Sequence, residues 1–216
     1  MSRRLPRYRD FLAIKKQLEK NCPVQVFEIG GTYIQGYVDT TVTMDIDIVI
    51  TITTPVSNVI EEINPVLGDL GYIPVHQTKS EYYRYVTEEN LKLDIFVNKV
   101  FTFAITSNML SRVKNKKLSP EDVFLLKAQS TRGLDKDYND LKRLISNISK
   151  GKFDYQIILS ELENQLQDKI DLTSQNISRL LSILVAVEKL IEVLPVDVPL
   201  VFLNEIERIY SLYGVL

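Results

Sequence analysis

The sequence predicts an α+β protein in which a mixed-sheet core, residues 1–106, is followed by an all-helical half, residues 107–216. Up to about residue 106, short runs rich in isoleucine, valine and threonine alternate with stretches of helical periodicity. Beyond it only helical stripes recur, opened by Ser119-Pro120-Glu121-Asp122, the signature of a helix N-terminus. Charge segregates too: residues 112–152 hold eleven Lys/Arg against five Asp/Glu, whereas residues from 153 on hold four against ten. Two solvated faces of opposite sign explain this most simply; a basic middle that attracts phosphates is the sharper reading.

Taken in order, residues 7–20 place Tyr8, Phe11, Ile14 (or Leu12) and Leu18 near helical spacing, and Asn21-Cys22-Pro23 ends that helix. Val24 to Ile29 is a strand stopping at Gly30-Gly31, followed by a short helical turn over 32–37 and a loop at Asp39-Thr40-Thr41. Met44 to Thr53 is a second, β-branched strand. Pro55 opens a helix whose stripe (Val59, Ile60, Ile63, Val66, Leu67 and Leu70) runs to Gly68 or Gly71. Residues 72–76, 81–87 and 91–97 read as strands, the last two joined by a hairpin loop at Glu88-Glu89-Asn90, and 101–106 as a further short strand. Helices are predicted to follow to about Thr131, then over 135–147, 155–168, 174–194 and 198–213.

Composition removes several function classes. A chain of 216 residues with 45% apolar content, 25% charged content and net charge -2 is ordinary for a globular protein and gives no global pull toward nucleic acid or membrane. One cysteine (Cys22) and one histidine (His76) supply neither an internal disulfide, nor a zinc site, nor a Cys-His or Ser-His-Asp machine. The basic start, broken by Pro6, is unlike a signal peptide, and no apolar run spans a bilayer, so a cytoplasmic protein without membrane partners is expected.

The chemistry gathers in residues 27–50. Gly30-Gly31-Thr32 fits neither a P-loop, since Tyr37-Val38 stands where Lys-Ser/Thr is needed, nor G-x-G-x-x-G. A double glycine still lets the backbone pass close to a phosphate, with N–H groups and the Thr32 hydroxyl turned outward; an ordinary tight turn is the alternative. Asp45 and Asp47 alternate with Ile46, Ile48 and Ile50, which puts both acids on one face of an otherwise apolar strand. Such a pair repels unless a cation joins it, and hard divalent cations take carboxylate oxygens. Asp94, mid-strand in Lys92-Leu93-Asp94-Ile95-Phe96-Val97, supplies a third acid. Three carboxylates complement two Mg²⁺ ions about 4 Å apart.

Ile29-Gly30-Gly31, the gap to Asp45-Ile46-Asp47-Ile48, and the distant Asp94 together resemble the nucleotidyltransferase superfamily typified by DNA polymerase beta. Thr32 departs mildly from a frequent serine and keeps the hydroxyl. The stretch from Leu118 to Lys127, with Arg132 and Lys136-Asp137-Tyr138-Asn139-Asp140-Leu141, resembles the AbiEii-type abortive-infection toxin nucleotidyltransferases. The resemblance covers roughly residues 27–141. It implies Mg²⁺ or Mn²⁺ on Asp45, Asp47 and Asp94, and an NTP with its triphosphate on Gly30-Gly31-Thr32. Lys127 is expected on nucleotide phosphates with Asp137 in support, and Arg132 and Lys136 nearby. It further implies transfer of NMP to a hydroxyl of an RNA 3′ end such as tRNA, or of a protein, in a toxin–antitoxin or abortive-infection setting. A cognate antitoxin, or self-association through the C-terminal helices, would be the partner. The alternative is an inactive binding or assembly protein that keeps the fold.

Overall fold

The computed structural model describes residues 5–38, 43–53, 55–77, 82–149, 152–168, 170–193 and 198–216. The predicted loop Asp39-Thr40-Thr41 lies outside them. The chain is α+β and divides into two compact units, one running to Phe101 and including Asn115–Lys117, the other made of Thr102–Lys114 and Leu118–Leu216.

The first unit contains α1 (Tyr8–Asn21), β1 (Gln25–Glu28), α2 (Gly30–Gln35), β2 (Ile46–Thr51), α3 (Val56–Asp69), β3 (Ile73–Gln77), β4 (Tyr82–Val86), β5 (Lys92–Val97) and β6 (Lys99–Val100). Five strands form a mixed sheet in the order β1-β2-β5-β4-β3. Only β2 and β5 are parallel. Alternation sends Ile46, Ile48 and Ile50 of β2 and Leu93, Ile95 and Val97 of β5 to one face. There they join Phe11, Ile14 and Leu18 of α1 and Val59, Ile63 and Leu67 of α3 in one buried cluster. The face without that helical cover carries the acids. β2 lies inside the sheet, flanked by β1 and β5, as its apolar character on both faces requires.

Lys117 closes a small cage within this unit. Its ammonium lies 4.2 Å from the Tyr37 ring centroid and 5.0 Å from that of Tyr8. It pairs at 3.1 Å with Glu28, a carboxylate only 1% exposed that also accepts from the Tyr8 hydroxyl. Gly36 leaves room for it: a Cβ there would stand 2.8 Å from the Lys117 ammonium.

The second unit holds β7 (Phe103–Ala104), α4 (Ser107–Ser111), α5 (Pro120–Ala128), α6 (Asp135–Arg143) running into a π-helical turn at Leu144–Ile148, α7 (Tyr155–Asp168), α8 (Ser174–Val193) and α9 (Leu200–Leu212). Ser119 caps α5 by accepting from the Asp122 N–H, as its sequence signature predicts. α5 is buried almost all round, Glu121 and Asp122 included, which makes it the central helix of this unit.

Some boundaries differ from expectation for local reasons. The predicted strand over 101–106 is interrupted at Phe101, whose φ of +52° no strand accepts. α4, too short for a periodic stripe, is nucleated by Thr106, whose hydroxyl accepts from the Met109 N–H. The helix predicted over 135–147 is α-helical only to Arg143. On α8 the inward residues are Leu180, Ile183, Ala186, Val187 and Leu190. Among the described residues no helix is long and apolar enough to cross a membrane.

Candidate functional site

β1 ends where Ile29 turns the chain into α2, and the two glycines are the first residues of that helix rather than a turn before it. Gly30 has φ +55°, a left-handed conformation that glycine adopts without the steric cost of a side chain. The space matters as much as the angle: a Cβ on Gly30 would come within 2.8 Å of Asp47 Oδ2, and one on Gly31 within 2.6 Å of Thr43 Oγ1. The missing side chains are thus filled by those that build the acidic strand. Thr43 in turn donates to the Asp45 carbonyl at 2.8 Å.

Two hydrogen bonds fasten the turn to β2. The Ile29 N–H donates to the Asp47 carbonyl at 3.1 Å, and the Asp47 N–H donates to Thr32 Oγ1 at 2.9 Å. This corrects the outward-facing donor expected of Thr32, which is 1% exposed and orients Asp47 instead. Asp45 sits in a bend just before β2 begins, so strand alternation does not fix its side chain as the sequence predicts; Asp47 is the second strand residue, and both are half-buried.

Register completes the row. Asp47 faces Asp94 across the parallel β2/β5 pair, and Asp94 faces Arg84 across the antiparallel β5/β4 pair. Facing positions share a face, so Asp47, Asp94 and Arg84 lie side by side on three adjacent strands. The Arg84 guanidinium grips Asp94 at both oxygens, Nε to Oδ1 at 2.7 Å and Nη2 to Oδ2 at 2.6 Å. Asp94 is 7% exposed and Arg84 34%. The bond to Asp94 raises the Arg84 pKa against the opposing effect of burial, and the charges of Asp94 and Asp45 add to it. Tyr82, whose ring centroid is 5.9 Å from the guanidinium carbon, is raised above the ordinary phenol range by burial and then by the charge of Asp94.

The fit to two metal ions fails on this geometry. Both oxygens of the third acid are committed to a cation the protein itself provides. Among the described residues no group of three or more His, Cys, Asp or Glu side chains is arranged to hold a metal. Asp45 and Asp47 are still a donor set suited to one hard cation, since Mg²⁺ is commonly held by one or two carboxylates plus substrate phosphates.

The residues given to phosphates by resemblance form a cluster of their own in the helical unit. Lys127 of α5 is bound by acids of α6, its ammonium 3.1 Å from Asp140 Oδ2 and 4.0 Å from Asp137 Oδ1. Asp137 Oδ2 accepts from the Arg132 N–H at 3.0 Å, which fastens the loop ahead of α6. The Arg132 side chain is 73% exposed, and Lys136 is exposed as well. Asp140, at 1% exposure, balances Lys127 against Arg143, 3.6 Å away on its other oxygen.

Arg84 is the residue that sequence reasoning missed. Its signal was present: a hairpin loop centred on Glu89 places Arg84 and Asp94 at equal distances on either side and so pairs them.

Neither a protein-family model nor a curated protein sequence matches the chain. Among solved structures it is similar to an antigenic nucleotidyltransferase-like protein from Paracoccidioides brasiliensis, at 17% identity and a TM-score of 0.44, over 78% of this chain and 91% of that one. It is also similar to a cytoplasmic RNA terminal U-transferase, at 11% identity and a TM-score of 0.34, over 56% of this chain and 38% of that one.

Proposed function

We propose that the protein transfers a nucleoside monophosphate from an NTP to an acceptor hydroxyl. The observation that carries the reading is the bracket between the glycine turn and the acidic strand: Gly30 left-handed beneath the Asp47 carboxylate, and Asp47 tied by its backbone to Ile29 and Thr32. That bracket leaves the start of α2 bare of side chains where it meets an acid, so that backbone and carboxylate stand in contact.

In this reading the polyphosphate lies along the Gly30-Gly31 turn, where the first N–H groups of α2 lack intrahelical acceptors. The acceptor hydroxyl gives its proton to solvent as its oxygen forms a bond to the α-phosphorus, the bond to the bridging oxygen breaks, and pyrophosphate leaves with the electron pair. Asp45 and Asp47 are the residues that would hold Mg²⁺ or Mn²⁺, and a bound ion would supply positive charge to the phosphates. Asp94 is poorly suited to receive the acceptor's proton, because Arg84 occupies both of its oxygens. An RNA 3′ end is the first acceptor to test, a protein hydroxyl the second; a toxin role with a cognate antitoxin follows from the resemblance in residues 118–141.

The second reading, a binding or assembly protein that keeps the fold, is favoured by one observation, the capture of Asp94 by Arg84. The two separate in one experiment: labelled NTPs with Mg²⁺ and total cellular RNA or lysate, using wild type and Asp45→Ala/Asp47→Ala. Incorporation by wild type alone supports transfer. No incorporation by wild type, or equal incorporation by the double variant, rules it out.

A further inference from the structure

On the face of the sheet that carries the acids, a row of aromatic rings stands beside them. One rung further along from Asp47, Asp94 and Arg84, strand register sets Val49, Phe96 and Tyr82 side by side. The Tyr82 and Phe96 ring centroids are 5.1 Å apart. Phe101, in the turn after β6, packs on Phe96 at 4.9 Å with the two planes at 72°. Such an edge-to-face contact leaves at least one face of the Phe101 ring uncovered by Phe96. Phe96 is 6% exposed and Phe101 40%. Phe101 also holds a φ of +52°, a left-handed conformation that suits Asn90 and Asn98 and that a bulky side chain adopts against steric opposition. Burial offsets that strain poorly in a residue that remains exposed, and strain held in place at an exposed position points to use of the ring.

We infer that Phe101, backed by Phe96 and Tyr82, stacks the terminal nucleobase of the acceptor, so that the acceptor is a single-stranded nucleic-acid end and not a protein side chain. This rests on the transferase reading and names its acceptor. Phosphoryl transfer sets the attacking and leaving oxygens roughly in line through the phosphorus. In that reading the polyphosphate meets Asp47 from the glycine turn, on the β1 side of β2, while the aromatic row lies across the acids on β5 and β4. An acceptor hydroxyl opposite the leaving pyrophosphate therefore comes from the aromatic side. One rung, about 7 Å, separates that row from Asp94, so a base and the hydroxyl of its own sugar can reach the two rows together. Every base has a π-face, so the shelf takes any sequence, whereas a base already stacked in a duplex is withheld from it. A serine or threonine hydroxyl brings no ring to it.

The test compares two short single-stranded RNAs, labelled at the 5′ end and read by fluorescence anisotropy without turnover: one intact, one lacking the base of its 3′-terminal nucleotide. Wild type should prefer the intact strand by roughly tenfold or more, the effect of stacking one base on an aromatic ring. Phe101→Leu, which keeps apolar bulk, should abolish that preference, and Phe101→Trp should restore it. A damaged fold lowers both affinities together, so the ratio reads the base contact alone. No preference in wild type, or a preference that survives in Phe101→Leu, would overturn the inference. Labelling of protein but not RNA, when wild type acts on a lysate with labelled NTP, would overturn it too. So would an effect of Phe101→Leu confined to NTP binding, which would give the ring to the incoming nucleotide. Each of these leaves nucleotidyl transfer standing, whereas absent incorporation from labelled NTP defeats the transferase reading, and the acceptor with it, whatever the ratio.

Discussion

Arg84 and Arg112 make the same bond in different company. Arg112, in the helical unit, reaches Asp122 at 2.5 Å and Glu161 at 2.9 Å, carboxylates exposed by 0% and 1%. The other neighbours of those acids are neutral donors: the Ser119 hydroxyl on Asp122, and Thr106 and Gln165 on Glu161. Every carboxylate oxygen has a donor, and the network is closed. Arg84 holds a single acid on a sheet face, and its next neighbours are further acids, Asp47 facing Asp94 in register and Asp45 acting on the guanidinium by charge. The difference teaches that an arginine–carboxylate pair marks a site when what surrounds it is like charge, and a scaffold when what surrounds it is neutral donors. Both kinds are here, one in each unit.

The sharpest way to break this comparison is to remove each arginine. Arg112→Met leaves two buried carboxylates facing each other and should cost about 3–5 kcal/mol. Arg84→Gln leaves one acid at a partly hydrated face and should cost about 1–3 kcal/mol. Urea unfolding midpoints read both, and equal losses would erase the distinction. Next come the left-handed glycines. Gly30→Ala combines strain of about 1–3 kcal/mol with displacement of the Asp47 carboxylate. Gly133→Ala has a similar angle, φ +74°, with nothing near its Cβ, so it carries the strain alone. Only the first should lower metal binding or transfer, and an equal effect on both would dissociate Gly30 from the site.

A smaller effect is set by pH. Tyr85 packs under the sheet with its hydroxyl on Asn64 at 2.8 Å, and burial pushes the phenol up to about 12. A pKa raised on folding gives stability that is full below the unfolded value near 10 and is lost as pH rises through the folded one. Thermal midpoints should therefore be unaffected by Tyr85 near neutrality and fall between about pH 10 and 12. Tyr85→Phe, lacking the titrating group, should flatten that fall; an unchanged profile would place the alkaline loss on other phenols raised by burial, such as Tyr82 and Tyr210.

Much of the architecture was legible because it follows from short-range chemistry. The Ser119 cap, the stripe of α3 and the hairpin between β4 and β5 are each set by residues within a turn or two of one another. So were Gly30, Asp47 and Asp94 as a group, since the apolar pattern of β2 and β5 shows where an acid is out of place. What stayed hidden depends on register and on the reach of long side chains. The hairpin sets Arg84 opposite Asp94, but the grip of its long side chain on both carboxylate oxygens belongs to the folded sheet. Lys127 is drawn to Asp140 by the docking of α6 on α5, which no local pattern specifies. The π-helical turn at Leu144–Ile148 has no signal in its composition, and its inward residues Leu144, Ile145 and Ile148 would suit an ordinary helix equally well.

The lysine caged by tyrosines governs the order in which the chain becomes whole during synthesis. Lys117 arrives after the strand-and-helix unit has otherwise been translated, and after a stretch, Thr102–Lys114, that belongs to the other unit. Until it leaves the ribosome, Glu28 has, among the described residues, the Tyr8 hydroxyl to answer a nearly sequestered negative charge. The N-terminal unit is therefore completed late, by three residues delivered from within its neighbour's sequence. A nascent chain paused before Asn115 should be open to protease at the Glu28 end of its sheet and become resistant once Lys117 has emerged.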